Sequence, residues 1–101
     1  MAKEIILTPL AIVNYESIIA YLVNDWGPTV ANNFIDRFEE VCSFLAENPE
    51  IYPFANRELM IQKCVLTKHN IIYFKETPDA IRILTIFDSR QDPKKLLSIF
   101  S

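Results

Sequence analysis

The sequence predicts an α+β fold: an N-terminal strand, then an antiparallel helical hairpin laid on a small, largely antiparallel sheet, in the order β-α-α-β-β-β with a short final helix. Three observations carry this. Apolar residues recur with a helical period of 3.6 from residue 9 to 47, and the period changes to two between residues 59 and 88. Proline and the single glycine stand where the periodic segments meet. With 101 residues, half of them apolar and 23% charged, the chain can fill one core, so a single domain over 1–101 is expected.

Residues 3–7 read as the opening strand. Thr8 is placed as a helix N-cap, with Pro9 at the first helical position, where a missing N–H costs nothing. Leu7 and Ile12 have the spacing of a hydrophobic staple. Ala11, Tyr15, Ile18, Leu22 and Trp26 then make one buried stripe, widened by Ile12, Ile19 and Val23. Gly27-Pro28 stops that helix and starts the next. In the second helix Val30, Phe34, Phe38, Val41 and Leu45 form the inward stripe, while Asp36, Glu39 and Glu40 make a solvated face. Asn48-Pro49 ends it.

Residues 49–58 read as an irregular connector held to the core by its apolar side chains. Strands are expected over 59–67 and 71–75, joined by a turn at Thr67–Asn70, and over 80–88. In the last of these, Ile81, Ile83 and Phe87 are expected on one face and Leu84 and Ile86 on the other, which makes the strand central and covered on both sides. Asp92-Pro93 repeats the cap-then-proline start and predicts a helix through Phe100.

Composition excludes several functions. One glycine cannot build a glycine-rich phosphate cradle. The longest apolar run, Ile18–Val23, is far short of the ~20 residues of a membrane span. The N-terminus lacks a signal-peptide layout, so a cytoplasmic protein without membrane contact is expected. Cys42 and Cys64 sit singly in apolar stretches and are expected reduced and buried. Two thiols and the lone His69 do not make a metal site, and neither metal nor cofactor is expected.

The charge is split. Residues 1–55 carry two basic and eight acidic residues, whereas 56–101 carry eight basic and five acidic ones, for a net charge of −3. Arg57, Lys63, Lys68, Arg82 and Arg90 lie on predicted strands or at their ends and are expected to converge on one side of the sheet. Arg82 alternates with apolar residues, so its guanidinium either pairs with a carboxylate such as Asp88 or lines a groove for an anion.

These segments together resemble the RelE/ParE superfamily of bacterial type II toxin–antitoxin toxins, also called plasmid-stabilisation proteins. The resemblance rests on the strand-helix of Ile5–Leu22, on Trp26 with Ala31 and Phe34, and on ENPEIYP at Glu47–Pro53. It extends to KCVLTKHNIIYF at Lys63–Phe74 and IRILTIFDSRQDPKKL at Ile81–Leu96. The last of these looks like the ParE branch. The resemblance implies a growth-inhibiting toxin neutralised by a cognate antitoxin protein, as a homodimer or a hetero-oligomer with it. In the ParE branch the target is DNA gyrase, and Arg82, Arg90, Lys94 and Lys95 would face the acidic antitoxin or the target. In the RelE branch the activity is metal-independent mRNA cleavage on the ribosome. Arg57, Lys63 and Arg82 would then hold the scissile phosphate, with His69 or a lysine of depressed pKa as base because no tyrosine follows Tyr73. A third alternative is a non-toxic binding module of the same fold.

Overall fold

The computed structural model describes residues 2–100. β1 (Glu4–Leu7) leads into α1 (Pro9–Trp26) and α2 (Pro28–Glu47); a single 3-10 turn (Pro49–Ile51) and β2 (Phe54–Asn56) follow. β3 (Ile61–Val65), β4 (Asn70–Glu76), β5 (Ala80–Asp88) and the short helix α3 (Lys95–Phe100) complete the order. The strands form one sheet in the order β1-β5-β4-β3-β2, with β1 parallel to β5 and every other pair antiparallel.

Each boundary has a local cause. The Thr8 side chain accepts from the Ala11 N–H and its hydroxyl donates to the Leu84 carbonyl at 2.8 Å, so one residue caps α1 and fastens it to β5. Gly27 takes φ 92°, a backbone that favours glycine, and its N–H donates to the Val23 carbonyl to close α1. Met60 has φ 57°, which interrupts an extended chain, so β3 begins at Ile61 rather than at Leu59.

The helices cover one face of the sheet. Phe34, Phe38, Val41, Cys42 and Leu45 of α2 meet Ile72, Phe74, Ile81, Ile83 and Ile86, with Tyr15, Ile18 and Leu22 of α1 packed against them. A smaller cluster on the opposite face joins Ile61, Tyr73 and Phe87 to Leu96, Ile99 and Phe100 of α3.

The structure corrects four expectations. Residues 49–58 are not irregular throughout: they contain the 3-10 turn and the edge strand β2. They are anchored by the buried Gln62, whose Nε2 donates to the carbonyls of Pro49 at 2.8 Å and Tyr52 at 3.1 Å, besides the edge-on contact of Tyr52 with Phe74. Faces on β5 are also reassigned. Leu84 is an extra residue between the pairs Ile83↔Phe74 and Thr85↔Tyr73, and this bulge inverts the alternation beyond it. Ile86 therefore joins Ile81 and Ile83 under the helices, while Phe87 joins Leu84 beside α3.

The third correction concerns Trp26 and Val30, which extend the buried stripes in sequence but are 65% and 38% exposed; Ile12 and Val23 are also exposed. Asn14 is level with Thr85 and Ile86 near the end of β5. Twelve further residues carry α1 about 18 Å onward, well past the end of the strand. The turn at Gly27 overhangs the sheet. Finally, α3 starts at Lys95, after a loop, rather than directly at Pro93.

Cys42 and Cys64 are free and buried, one on each side of the helix–sheet contact. Burial pushes the Cys42 thiol up to about 12 and raises Cys64 as well. Thiolate is the reactive form, so neither is expected to react with Ellman's reagent at pH 7.5 until the chain unfolds, when both should. Rapid labelling of the native protein would contradict the packing. No helix is long and apolar enough to cross a membrane among the described residues.

Candidate partner-binding groove

The overhang of α1 opens a groove of about 1140 Å³ between the helices, the end of β5 and the start of α3. Leu10, Asn14, Ser17, Tyr21 and Trp26 of α1 form one wall, and Val30, Phe34 and Arg37 extend it along α2. The turn Thr67–Asn70, residues Thr85–Asp88, Arg90 and Lys95 close the rest.

Local geometry fixes this lining. Arg37 Nε donates to the Leu66 carbonyl at 3.2 Å, which ties α2 to the end of β3. In the turn, the Thr67 hydroxyl donates to Asn70 Oδ1 at 2.8 Å, and the Ser89 N–H donates to the His69 carbonyl at 2.8 Å. These bonds hold His69 and the segment after β5 side by side.

The groove is cationic over an apolar floor. Arg37, Lys68, Arg90 and Lys95 line it against one carboxylate, Asp88. Arg90 grips that carboxylate with Nε at 3.0 Å and Nη2 at 2.7 Å, and its own N–H donates at 2.9 Å. Arg90 thereby holds the Asp88 carboxyl well below the ordinary range, at about 2. Arg37 pairs with Glu40 at 3.4 Å. Lys68 and Lys95 make no ion pair among the described residues.

A pH signature follows. The folded state keeps Asp88 ionised below the pH at which the unfolded chain protonates it, near ~4. Its contribution to stability is therefore complete above about pH 4 and disappears as pH falls through the folded value near 2. Asp88→Asn is expected to flatten the fall of Tm between pH 4 and pH 2. An unchanged acid limb would exclude the pair as a source of stability.

The candidate residues are distributed over two depressions. His69, Arg90 and Lys95 line the groove. Arg82 lies elsewhere, in a smaller hollow of about 410 Å³ on the α3 face of the sheet, with Lys75, Leu84 and Phe100. Asp88 pairs with Arg90, so of the two alternatives for Arg82 the pairing with Asp88 is not formed, and Arg82 lines the hollow instead. Asp88, which is opposite Asn70, is six positions along β5 from Arg82; this places Arg82 about 20 Å from the turn that carries His69.

Lys63 is exposed on β3, opposite Tyr73, and Arg57 stacks over the Phe54 ring at 5.2 Å to its centroid. Lys94 is exposed and lines neither depression. The expected convergence of the basic residues on one side of the sheet is thus not what the fold produces. Tyr21, Trp26 and Arg37 carry no sequence signal that marks them as site residues; an exposed aromatic at the end of an apolar stripe is visible only once the overhang is known. No group of three or more His, Cys, Asp or Glu side chains is placed to hold a metal among the described residues.

Sequence comparison with curated proteins gives no match. The fold is similar to a chain in the structure of a chromosomal ParDE TA system from P. aeruginosa, at 17% identity and a TM-score of 0.72, covering 86% of this chain and 96% of that one. Residues 5–93, from the first strand to the loop before α3, match the family described as ParE toxin of type II toxin-antitoxin system, parDE. The strand, the helical hairpin and the sheet that frame the groove all fall within the matched residues, and the chain belongs to the ParE toxin family.

Proposed function

We propose that this chain is the toxin of a type II toxin–antitoxin pair, that an acidic segment of its antitoxin seats in the groove, and that the free chain inhibits growth by binding DNA gyrase. The observation that carries the partner assignment is the groove itself: four cations face one carboxylate over exposed Leu10, Tyr21 and Trp26. Apolar contacts anchor such a partner, and the excess positive charge selects an acidic one and speeds its approach. Arg90 and Lys95 serve this site.

Binding is favoured over RNA cleavage by the spacing of the basic residues. A phosphate clamp and its proton acceptor must meet within hydrogen-bond reach of one ribose. Arg82 and His69 line separate depressions instead.

Expression of the chain alone, with and without the co-expressed antitoxin, tests this. Growth arrest with double-strand DNA breaks, relieved by the antitoxin, is the expected result. Translation arrest with fragmented mRNA would establish the nuclease instead, and unhindered growth would leave a binding module that is not toxic.

A further inference from the structure

The outer face of α2 carries an aromatic ring among acids. Phe34, Phe38, Val41 and Leu45 turn inward, so the helical period sends Glu40, Phe44 and Glu47 outward on one line, at intervals of four and three. Phe44 is 52% exposed. Glu40 meets Arg37 at 3.4 Å, and Glu47 makes no ion pair among the described residues. A single exposed ring is ordinary on a surface, but this one stands between two carboxylates that fix the sign of whatever covers it.

The opposite side of the molecule has the reverse character. Lys75 of β4 and Arg82 of β5 are directly opposite each other and line the hollow of about 410 Å³. Ile61, Leu84 and Phe100 give that hollow apolar walls. Like charges placed across two strands repel, so the pair calls for an anion. The chain does not supply one among the described residues. Glu4 shares this side of the sheet, two positions from the Ile6 that is opposite Arg82, yet neither cation forms an ion pair.

We propose that the hollow receives Phe44 of a second copy of this chain, with Glu40 and Glu47 of that copy meeting Lys75 and Arg82. The ring enters the apolar walls, and the two carboxylates, about 10 Å apart along their helix, bracket it at the cationic rim. The contact sets the acidic first half of one copy against the basic second half of the next. Because α2 turns this line away from the sheet and the hollow opens on the far side of the sheet, the two surfaces of one copy point in opposite directions. The interface is therefore heterologous, and copies add head to tail instead of pairing about a two-fold axis. Glu40, Phe44, Glu47, Lys75 and Arg82 do not line the groove, so the contact is separate from the antitoxin's seat.

Sedimentation velocity of the isolated full chain tests this. The average mass is expected to pass that of a dimer between about 10 µM and about 1 mM, the range of small polar contacts, and to fall back as salt rises. Lys75→Glu with Arg82→Glu, and separately Glu40→Lys with Glu47→Lys, are each expected to weaken association at least about 10-fold. Mixed in equal amounts, the two variants are expected to recover it, since each then offers the sign that the other lost. Phe44→Ser is expected to weaken association by about 10-fold while thermal unfolding stays unchanged. A chain that stays monomeric throughout, growth that stops at a closed dimer, an unaltered Phe44→Ser variant, or charge variants that fail to associate on mixing would each overturn the proposal.

Discussion

Truncation of Phe74 to alanine is expected to lower the unfolding free energy by about 3–5 kcal/mol, because the cavity lies where the core beneath the helices meets the connector. The ring is fully buried in the middle of β4, faces the helices, and receives the edge of Tyr52 at a centroid distance of 6.0 Å. Its loss removes one of the contacts that hold the connector after α2, as well as the volume beneath α2. For a domain of this size the change corresponds to a fall in Tm of roughly 15 °C or more. Thermal unfolding followed by circular dichroism checks it. A fall of less than about 4 °C would show that the connector collapses into the space, and that the core is less cooperative than its packing implies.

Charge reversal of Lys68 and Lys95 together is expected to weaken binding of the antitoxin by about 100-fold, close to 2.7 kcal/mol. Both side chains are exposed and free of ion pairs among the described residues, so their replacement by glutamate leaves the core untouched. Arg90 is the poorer choice for this experiment, since removing it also strands Asp88. The loss should shrink as salt rises, because these charges lie at a wet rim. Calorimetric titration at two ionic strengths measures both effects. Lys63→Glu with Arg82→Glu, on the other face of the sheet, serves as the control and is expected to change affinity less than 3-fold. The reverse ranking would move the partner's seat to the hollow beside Phe100.

Much of the architecture was legible in the sequence because it depends on local rules. The Thr8-Pro9 cap, the Gly27-Pro28 joint and the span Ala80–Asp88 are found where the residues predict them. What sequence periodicity could not show were the places where one residue changes the count or where a partner element stops. Leu84 reads as another apolar member of β5, yet as an unpaired insertion it sends Ile86 and Phe87 to the faces opposite those expected. β2 is only three residues long, and the turn that leads into it is anchored by Gln62, a polar side chain with no periodic signature.

The site was legible only in part, for a similar reason. Basic residues on successive strands can be counted from the sequence, but the side of the sheet and the end of the strand they occupy depend on register. Arg90 and Lys95 share the groove with His69 because β5 and the turn before β4 finish at the same level. Arg82 sits six residues earlier and belongs to another surface. Trp26 counts as a core residue until the relative lengths of helix and strand are compared.

The unpaired Leu84 divides its strand into two phases that no substitution can exchange. Deleting that one position would bring Thr85 directly after Ile83 and restore simple alternation, with Ile86 still beneath the hairpin and Phe87 still beside α3, so that only Leu84's own contribution to the α3 face would go. Relatives of this chain that are one residue shorter at position 84 should therefore keep both faces of the strand. An alignment that closes a gap there would attach the C-terminal arginine and lysines to the wrong surface.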